Sequence, residues 1–208
     1  MRGVFITFEG VEGAGKTTQI ALLHDALAAA GRRVYVTREP GGEPVAEAIR
    51  GVLLSASHPV TPAAELLLFM AARAQMVERV LRPHLDAGEV VLCDRYTDSS
   101  VAYQGYARAQ DLEMVRRLNT FATGGLTPDR TILLDLDPET GLARQSDRNR
   151  MEAESLAFHR RVREGYLAEA GRDPARFRIL DATRPVAEIH ADILATAQEI
   201  LNRSEWRA

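Results

Sequence analysis

Val4-Phe5-Ile6-Thr7-Phe8-Glu9-Gly10-Val11-Glu12-Gly13-Ala14-Gly15-Lys16-Thr17-Thr18 is the stretch from which the fold is read. It opens with a short apolar run that suits a buried strand. Gly10 to Thr17 then fits the pattern G-x-x-x-x-G-K-[ST], and a helical pattern follows. Glycines in such a loop let backbone N–H groups converge on phosphate oxygens at the head of a helix. Lys16 then reaches the β and γ phosphates of a nucleoside triphosphate, and the Thr17 hydroxyl ligates Mg²⁺. The expected triphosphate-binding residues are Gly10, Val11, Glu12, Gly13, Ala14, Gly15, Lys16, Thr17 and Thr18.

Lys16 is the only lysine among 26 basic residues. Arginine is a wide planar fork, whereas lysine is a compact charge on a thin stem. A loop wrapped closely around phosphates admits the second and not the first. The general bias toward arginine fits genomic base composition better than thermal adaptation. The single lysine also excludes a GTPase, whose guanine motif N-K-x-D needs a lysine of its own.

Moving outward, apolar runs recur at Arg33–Thr37, Val90–Cys93, Thr131–Leu136 and Phe177–Leu180. Between them lie helical patterns at about 16–30, 44–54, 62–86, 111–122, 152–170 and 186–202. The alternation predicts an α/β fold, with a parallel sheet of about five strands flanked by helices and buried on both faces. Ligands in such folds lie beyond the carboxyl ends of the strands. Unusual polar residues follow each run there: Glu9-Gly10, Arg38-Glu39-Pro40-Gly41-Gly42, Asp94-Arg95-Tyr96, Asp137-Pro138 and Asp181-Ala182-Thr183-Arg184-Pro185. The very polar stretch from Arg144 to Glu154 reads as a lid, placed at about 142–152 within one domain of 208 residues. A net charge of −3 gives no general field for nucleic acid. One cysteine, Cys93 in an apolar run, allows no disulfide and reads as a buried thiol. Nothing approaches a membrane span, and the expected location is the cytoplasm.

The acceptor side is read from residues after the second and third strands. Arg38 is placed to clamp a second anionic group, or else to pair with Glu39. Asp94 is placed to hold a water of the Mg²⁺ shell, or to cap a helix, and Arg95 to bridge the phosphates of two substrates. Phe69 and Arg73 stand four apart on one helix face. They suit a nucleobase by stacking and hydrogen bonding, or else are a core ring and a snorkelling arginine. Ser99, Ser100, Tyr103 and Gln104 add hydroxyl and amide groups nearby.

Together these motifs resemble the thymidylate kinase family of P-loop nucleoside monophosphate kinases, over nearly the whole chain. The resemblance rests on Phe8 to Thr18, Thr37-Arg38-Glu39-Pro40-Gly41-Gly42, Phe69-Met70-Ala71-Ala72-Arg73, Asp94-Arg95-Tyr96, Ala102-Tyr103-Gln104-Gly105, and Pro128-Asp129 before Leu133 to Leu136. It implies the P-loop NTPase three-layer fold, ATP and dTMP as substrates with Mg²⁺, and a homodimer. By that resemblance Glu12 approaches the deoxyribose 3′-OH, and Arg38 and Arg95 hold the acceptor phosphate. Phe69 stacks on thymine, Arg73 bonds its exocyclic oxygen, and Ser100 and Gln104 face the ring N3 side. Tyr103 presses on the sugar, Arg184 borders adenine, and the peptide before Pro40 is cis. One group of the family carries a catalytic arginine at the position of Gly13. Glycine there places this chain in the bacterial group, with lid candidates Arg144, Arg148 and Arg150. The expected reaction is direct in-line transfer, with Lys16, Arg95, a lid arginine and Mg²⁺ sharing the charge. A deoxynucleoside kinase and a P-loop ATPase acting as a switch are the alternatives.

Overall fold

The computed structural model describes residues 2–57, 59–144 and 149–205. Five strands form one fully parallel sheet: β1 (Val4–Glu9), β2 (Val34–Arg38), β3 (Val90–Asp94), β4 (Arg130–Asp135) and β5 (Phe177–Asp181). Their order is β2-β3-β1-β4-β5, so the strand that leads into the P-loop is central. Alternation along the inner strands feeds two apolar cores. Val4, Ile6, Phe8, Val90 and Leu92 belong to one, and Phe5, Val91 and Cys93 to the other. This is the period-two arrangement of a sheet covered on both faces. The outer strands depart from expectation: Val36 and Ile179 are 44% and 48% exposed, because a sheet edge is covered less fully by helices. Cys93 is buried, and burial pushes its thiol well above the ordinary range.

The helices are α1 (Lys16–Ala29), α2 (Pro44–Leu54), α3 (Pro62–Met76), α4 (Arg82–Asp86), α5 (Thr97–Ser100), α6 (Leu112–Thr123), α7 (Pro138–Ala143), α8 (Leu156–Arg172) and α9 (Val186–Glu205). The pattern at 62–86 is realised as α3 and α4 joined by a π-helical turn at Val77–Leu81. The sequence reading missed α5, its π-helical continuation Val101–Ala107, and α7. Side chains cap most helix starts: Glu43 for α2, Thr61 for α3, Asp111 for α6, Asp137 for α7 and Ser155 for α8. By contrast α1 begins at Gly15, in the left-handed region at φ 91°, with no side-chain cap. Its first N–H groups are left for an anion.

Two close approaches position the site. A Cβ on Gly165 of α8 would lie 2.9 Å from the Ala102 Cα, so the glycine lets α8 press against the π-helical segment that carries Tyr103 and Gln104. A Cβ on Gly141 of α7 would lie 2.1 Å from the Glu12 carbonyl oxygen, and one on Gly13 would lie 2.3 Å from the Gly141 carbonyl oxygen. The P-loop and α7 therefore touch backbone to backbone. The Glu39–Pro40 peptide is cis, as the resemblance implies.

Candidate active site

The carboxyl ends of β1, β2 and β3 stand side by side, with Phe8 opposite Asp94 and Asp94 opposite Arg38. Beyond them opens a cleft of about 520 Å³, within the usual size of small-molecule sites. One end is lined by Gly13, Gly15, Lys16, Thr17 and Thr18, the other by Phe69, Arg73, Ser100 and Gln104. Glu12, Asp94, Arg95 and Tyr103 line the cleft as well. Gly10, Val11 and Ala14 are buried in the P-loop rather than lining the cleft.

Lys16 is buried, and its Nζ donates to the carbonyls of Gly10 at 3.1 Å and Val11 at 3.0 Å. Burial pulls its pKa down, and Arg95 adds to the effect, while Asp94, Glu12 and Glu9 oppose it. Arg95 is held at φ 70°, rare for a side-chain-bearing residue, by its N–H bond to the Phe8 carbonyl at 2.9 Å. That turn aims its guanidinium at the Glu12 carboxylate (2.8 Å), the Tyr166 hydroxyl (2.8 Å) and the face of Tyr103. The Tyr103 hydroxyl donates to both Glu12 oxygens, at 2.8 and 2.6 Å. Burial alone would raise the Glu12 pKa, but Arg95, Lys16 and Tyr103 together hold it below the ordinary value. Glu12 is thus an ionised, fully oriented acceptor at the middle of the cleft.

Asp94 is not a helix cap, since α5 is preceded by Tyr96 and its own cap position lacks a side-chain bond. Its Oδ1 is buried without a hydrogen-bond partner among the described residues. An orphaned carboxylate oxygen in the same cleft as the Thr17 hydroxyl fits a hydrated Mg²⁺ ion. Among the described residues no group of three or more His, Cys, Asp or Glu side chains is arranged to hold a metal without a ligand's help.

At the far end Arg73 is 1% exposed, so it is not a snorkelling surface residue. It donates to Glu39 (2.7 Å), Ser100 (2.9 Å), Asn119 (2.5 Å) and the Tyr96 carbonyl (3.0 Å). Gln104 donates to Glu65 at 2.9 Å. Phe69 is half-buried and packs against an apolar cluster of α3 and α6.

Several anticipated residues stand apart from the cleft. Arg38 is exposed and pairs with Glu47 at 3.0 Å, not with Glu39. Arg184 pairs with Glu188 and Asp192 at the turn between β5 and α9. Arg150 bonds the Leu53 carbonyl and Glu65, both at 2.8 Å, and does not line the cleft. Arg144 does line it and donates to the Gly13 carbonyl at 2.9 Å. Arg148 lies outside the described residues. In the other direction, Arg50 of α2 lines the cleft and donates to the Pro40 carbonyl at 2.8 Å. Buried His159 of α8 sets its Nδ1 3.7 Å from Glu12. Neither carries a local signature in sequence: each sits within an ordinary helix, and only the fold turns it inward.

The chain is similar to known proteins over nearly its whole length. The thymidylate kinase family profile matches residues 8–193. The chain is 53% identical to the thymidylate kinase of Deinococcus radiodurans over 201 residues, covering 95% of this chain and 98% of that one. It is 50% identical to the thymidylate kinase of Nitratidesulfovibrio vulgaris, covering 96% and 98%. The crystal structure of thymidylate kinase from Ehrlichia chaffeensis superposes with a TM-score of 0.80 at 32% identity, covering 95% of this chain and 99% of that one. With a family profile that spans most of its length and relatives of about half identity over nearly the whole chain, the chain belongs to the thymidylate kinase family.

Proposed function

We propose that this chain transfers the γ-phosphoryl of ATP directly to the 5′-phosphate of dTMP, giving dTDP and ADP. One observation carries the reading: the P-loop and the Phe69–Gln104 pocket are two ends of a single cleft, with Arg95 and Glu12 between them. A cleft of this form holds two nucleotides with their phosphates facing, and positioning then replaces covalent catalysis. The loop N–H groups and Lys16 hold the triphosphate. Arg95 bridges the two phosphate groups. Thr17 and Asp94 would hold Mg²⁺, which when bound neutralises charge on the triphosphate.

Phe69 stacks on the base, Arg73 and Ser100 bond its edge, and Glu12 accepts from the sugar 3′-OH beside Tyr103. Arg50 joins Arg95 at the acceptor phosphate, and Arg38 joins it by exchanging Glu47 for that phosphate. Arg184 borders the adenine. Residues 142–152 act as the lid, and its catalytic arginine is Arg144, already seated against the P-loop at Gly13. Arg150 instead anchors the base of the lid to α2 and α3. The protein works as a homodimer in the cytoplasm. No helix among the described residues is long and apolar enough to cross a membrane.

A panel of nucleoside monophosphates in an ADP-release assay tests the reading. The fastest turnover is expected with dTMP. Preference for another monophosphate overturns the substrate, preference for thymidine favours a nucleoside kinase, and turnover without any acceptor favours an ATPase.

A further inference from the structure

Glu65 is a fully buried carboxylate that does not itself line the cleft. It sits on α3 one turn before Phe69. Its Oε1 accepts from the Gln104 amide nitrogen at 2.9 Å and from Arg108 Nε at 3.2 Å. Its Oε2 accepts from Arg108 Nη2 at 3.2 Å and pairs with Arg150 Nη1 at 2.8 Å. Burial alone would raise its pKa, but the bonds from Arg108, Gln104 and Arg150 outweigh burial and keep it ionised.

An ionised carboxylate can only accept hydrogen bonds. The side of the Gln104 amide that faces Glu65 must therefore be its NH₂, and the amide cannot turn over without setting oxygen against oxygen. Its carbonyl oxygen, on the other arm of the same planar group, has no partner among the described residues, while Gln104 lines the cleft beside Ser100. We infer that Glu65 is a positioning residue that fixes the Gln104 carbonyl oxygen toward the acceptor base and so selects a base that presents a ring N–H. Thymine and uracil carry a proton on N3. Cytosine has a lone pair there, which would oppose the fixed oxygen. An amide free to turn would offer its NH₂ to cytosine and lose the distinction. The inference rests on the proposed placement of the base at the Phe69 end of the cleft.

The experiment compares kcat/KM for dTMP and dCMP at saturating ATP. In Glu65→Gln the neighbour both donates and accepts, so the Gln104 amide is released. The dTMP:dCMP ratio should fall about tenfold, through KM rather than kcat, the worth of one well-made hydrogen bond. Arg108→Met also strips two bonds from Glu65 but leaves the one to Gln104, and should keep the ratio within about twofold. Gln104→Met should lose the ratio as Glu65→Gln does. A folded Glu65→Gln enzyme with the wild-type ratio overturns the inference, as does wild-type selectivity in Gln104→Met. If Phe69→Ala also leaves the KM for dTMP unchanged, the base placement itself fails. Should Glu65→Gln not fold, NMR of the intact protein decides. The Gln104 NH₂ signals, assigned by their loss in Gln104→Met, should be protected from solvent exchange, and free exchange would overturn the inference.

Discussion

Lys16 ends its four-carbon stem between two loop carbonyls, and the residues around it leave it only 7% exposed. A guanidinium is broader and needs planar partners. Lys16→Arg therefore preserves charge but not fit. It should cost at least about a hundredfold in kcat, comparable to removing a preorganised transition-state donor, while the melting temperature stays near wild type. Near-normal turnover in that variant would remove the steric explanation for the chain's one lysine. Glu9, one residue before the P-loop, makes a second prediction at this scale. Burial and the nearby Asp98 push its pKa from 4.5 up to about 7, against the bonds from Ser99 and Tyr96. Between those values the unfolded chain releases this proton and the folded chain keeps it. Stability is thus highest at the acid end of that window and falls as pH rises to about 7, by on the order of 3 kcal/mol in all. Glu9→Gln keeps a group able to accept from the Tyr96 N–H and meet Ser99, but it cannot titrate. Thermal melts of the two proteins across pH 5 to 8 should diverge as pH rises, with the variant gaining relative to wild type. Parallel curves would mean that Glu9 is ionised throughout.

At the scale of elements, the contact between the P-loop and α7 sets where a catalytic arginine can come from. Gly13 has no space for any side chain, because the Gly141 carbonyl stands where its Cβ would be. Arg144, at the end of α7, instead reaches over to the Gly13 carbonyl, and this is where the proposed catalytic arginine would come from. Gly141→Ala should push α7 off the loop, at about 1–3 kcal/mol of stability. Its larger effect should be on kcat, with the KM for dTMP little changed. A rise in that KM with unchanged kcat would contradict the assignment. Such contacts also explain what was legible in the sequence. β1, β3 and β4 were readable because burial on both faces leaves an apolar run. The P-loop was readable because its backbone geometry demands glycines at fixed spacing. The segment from Thr97 to Ala107 was not readable as a helix: Thr97, Val101 and Gly105 are weak helix formers, and its π-helical winding breaks the ordinary period. Yet Tyr103 and Gln104 on that segment were picked out as candidates by their chemistry. Arg50 was missed for the opposite reason, since it has regular helical surroundings and no distinctive neighbours.

On the scale of the whole molecule, the cleft and the outer surface share one helix. α3 turns Glu65, Phe69 and Arg73 toward the pocket region and leaves Leu67 58% exposed on another side. Its neighbour α6 buries Val115 and Ala122 but leaves Met114 and Phe121 57% and 85% exposed. A ring as exposed as Phe121, on helices joined to the Phe69–Gln104 end of the cleft, fits a face that a second copy covers in an isologous pair. The proposed homodimer would then brace α3 from outside while Arg73 and Glu39 brace it from within. Phe121→Glu places a charge on that face without touching the cleft. Sedimentation should give a dimer for wild type and a monomer for the variant. If the brace is real, the monomer should bind dTMP several-fold more weakly and ATP about as before, because α3 carries Phe69 and Arg73 of the proposed acceptor site and the P-loop stands on β1 and α1. A variant that remains dimeric would place the interface elsewhere. A monomer with an unchanged KM for dTMP would separate assembly from acceptor binding.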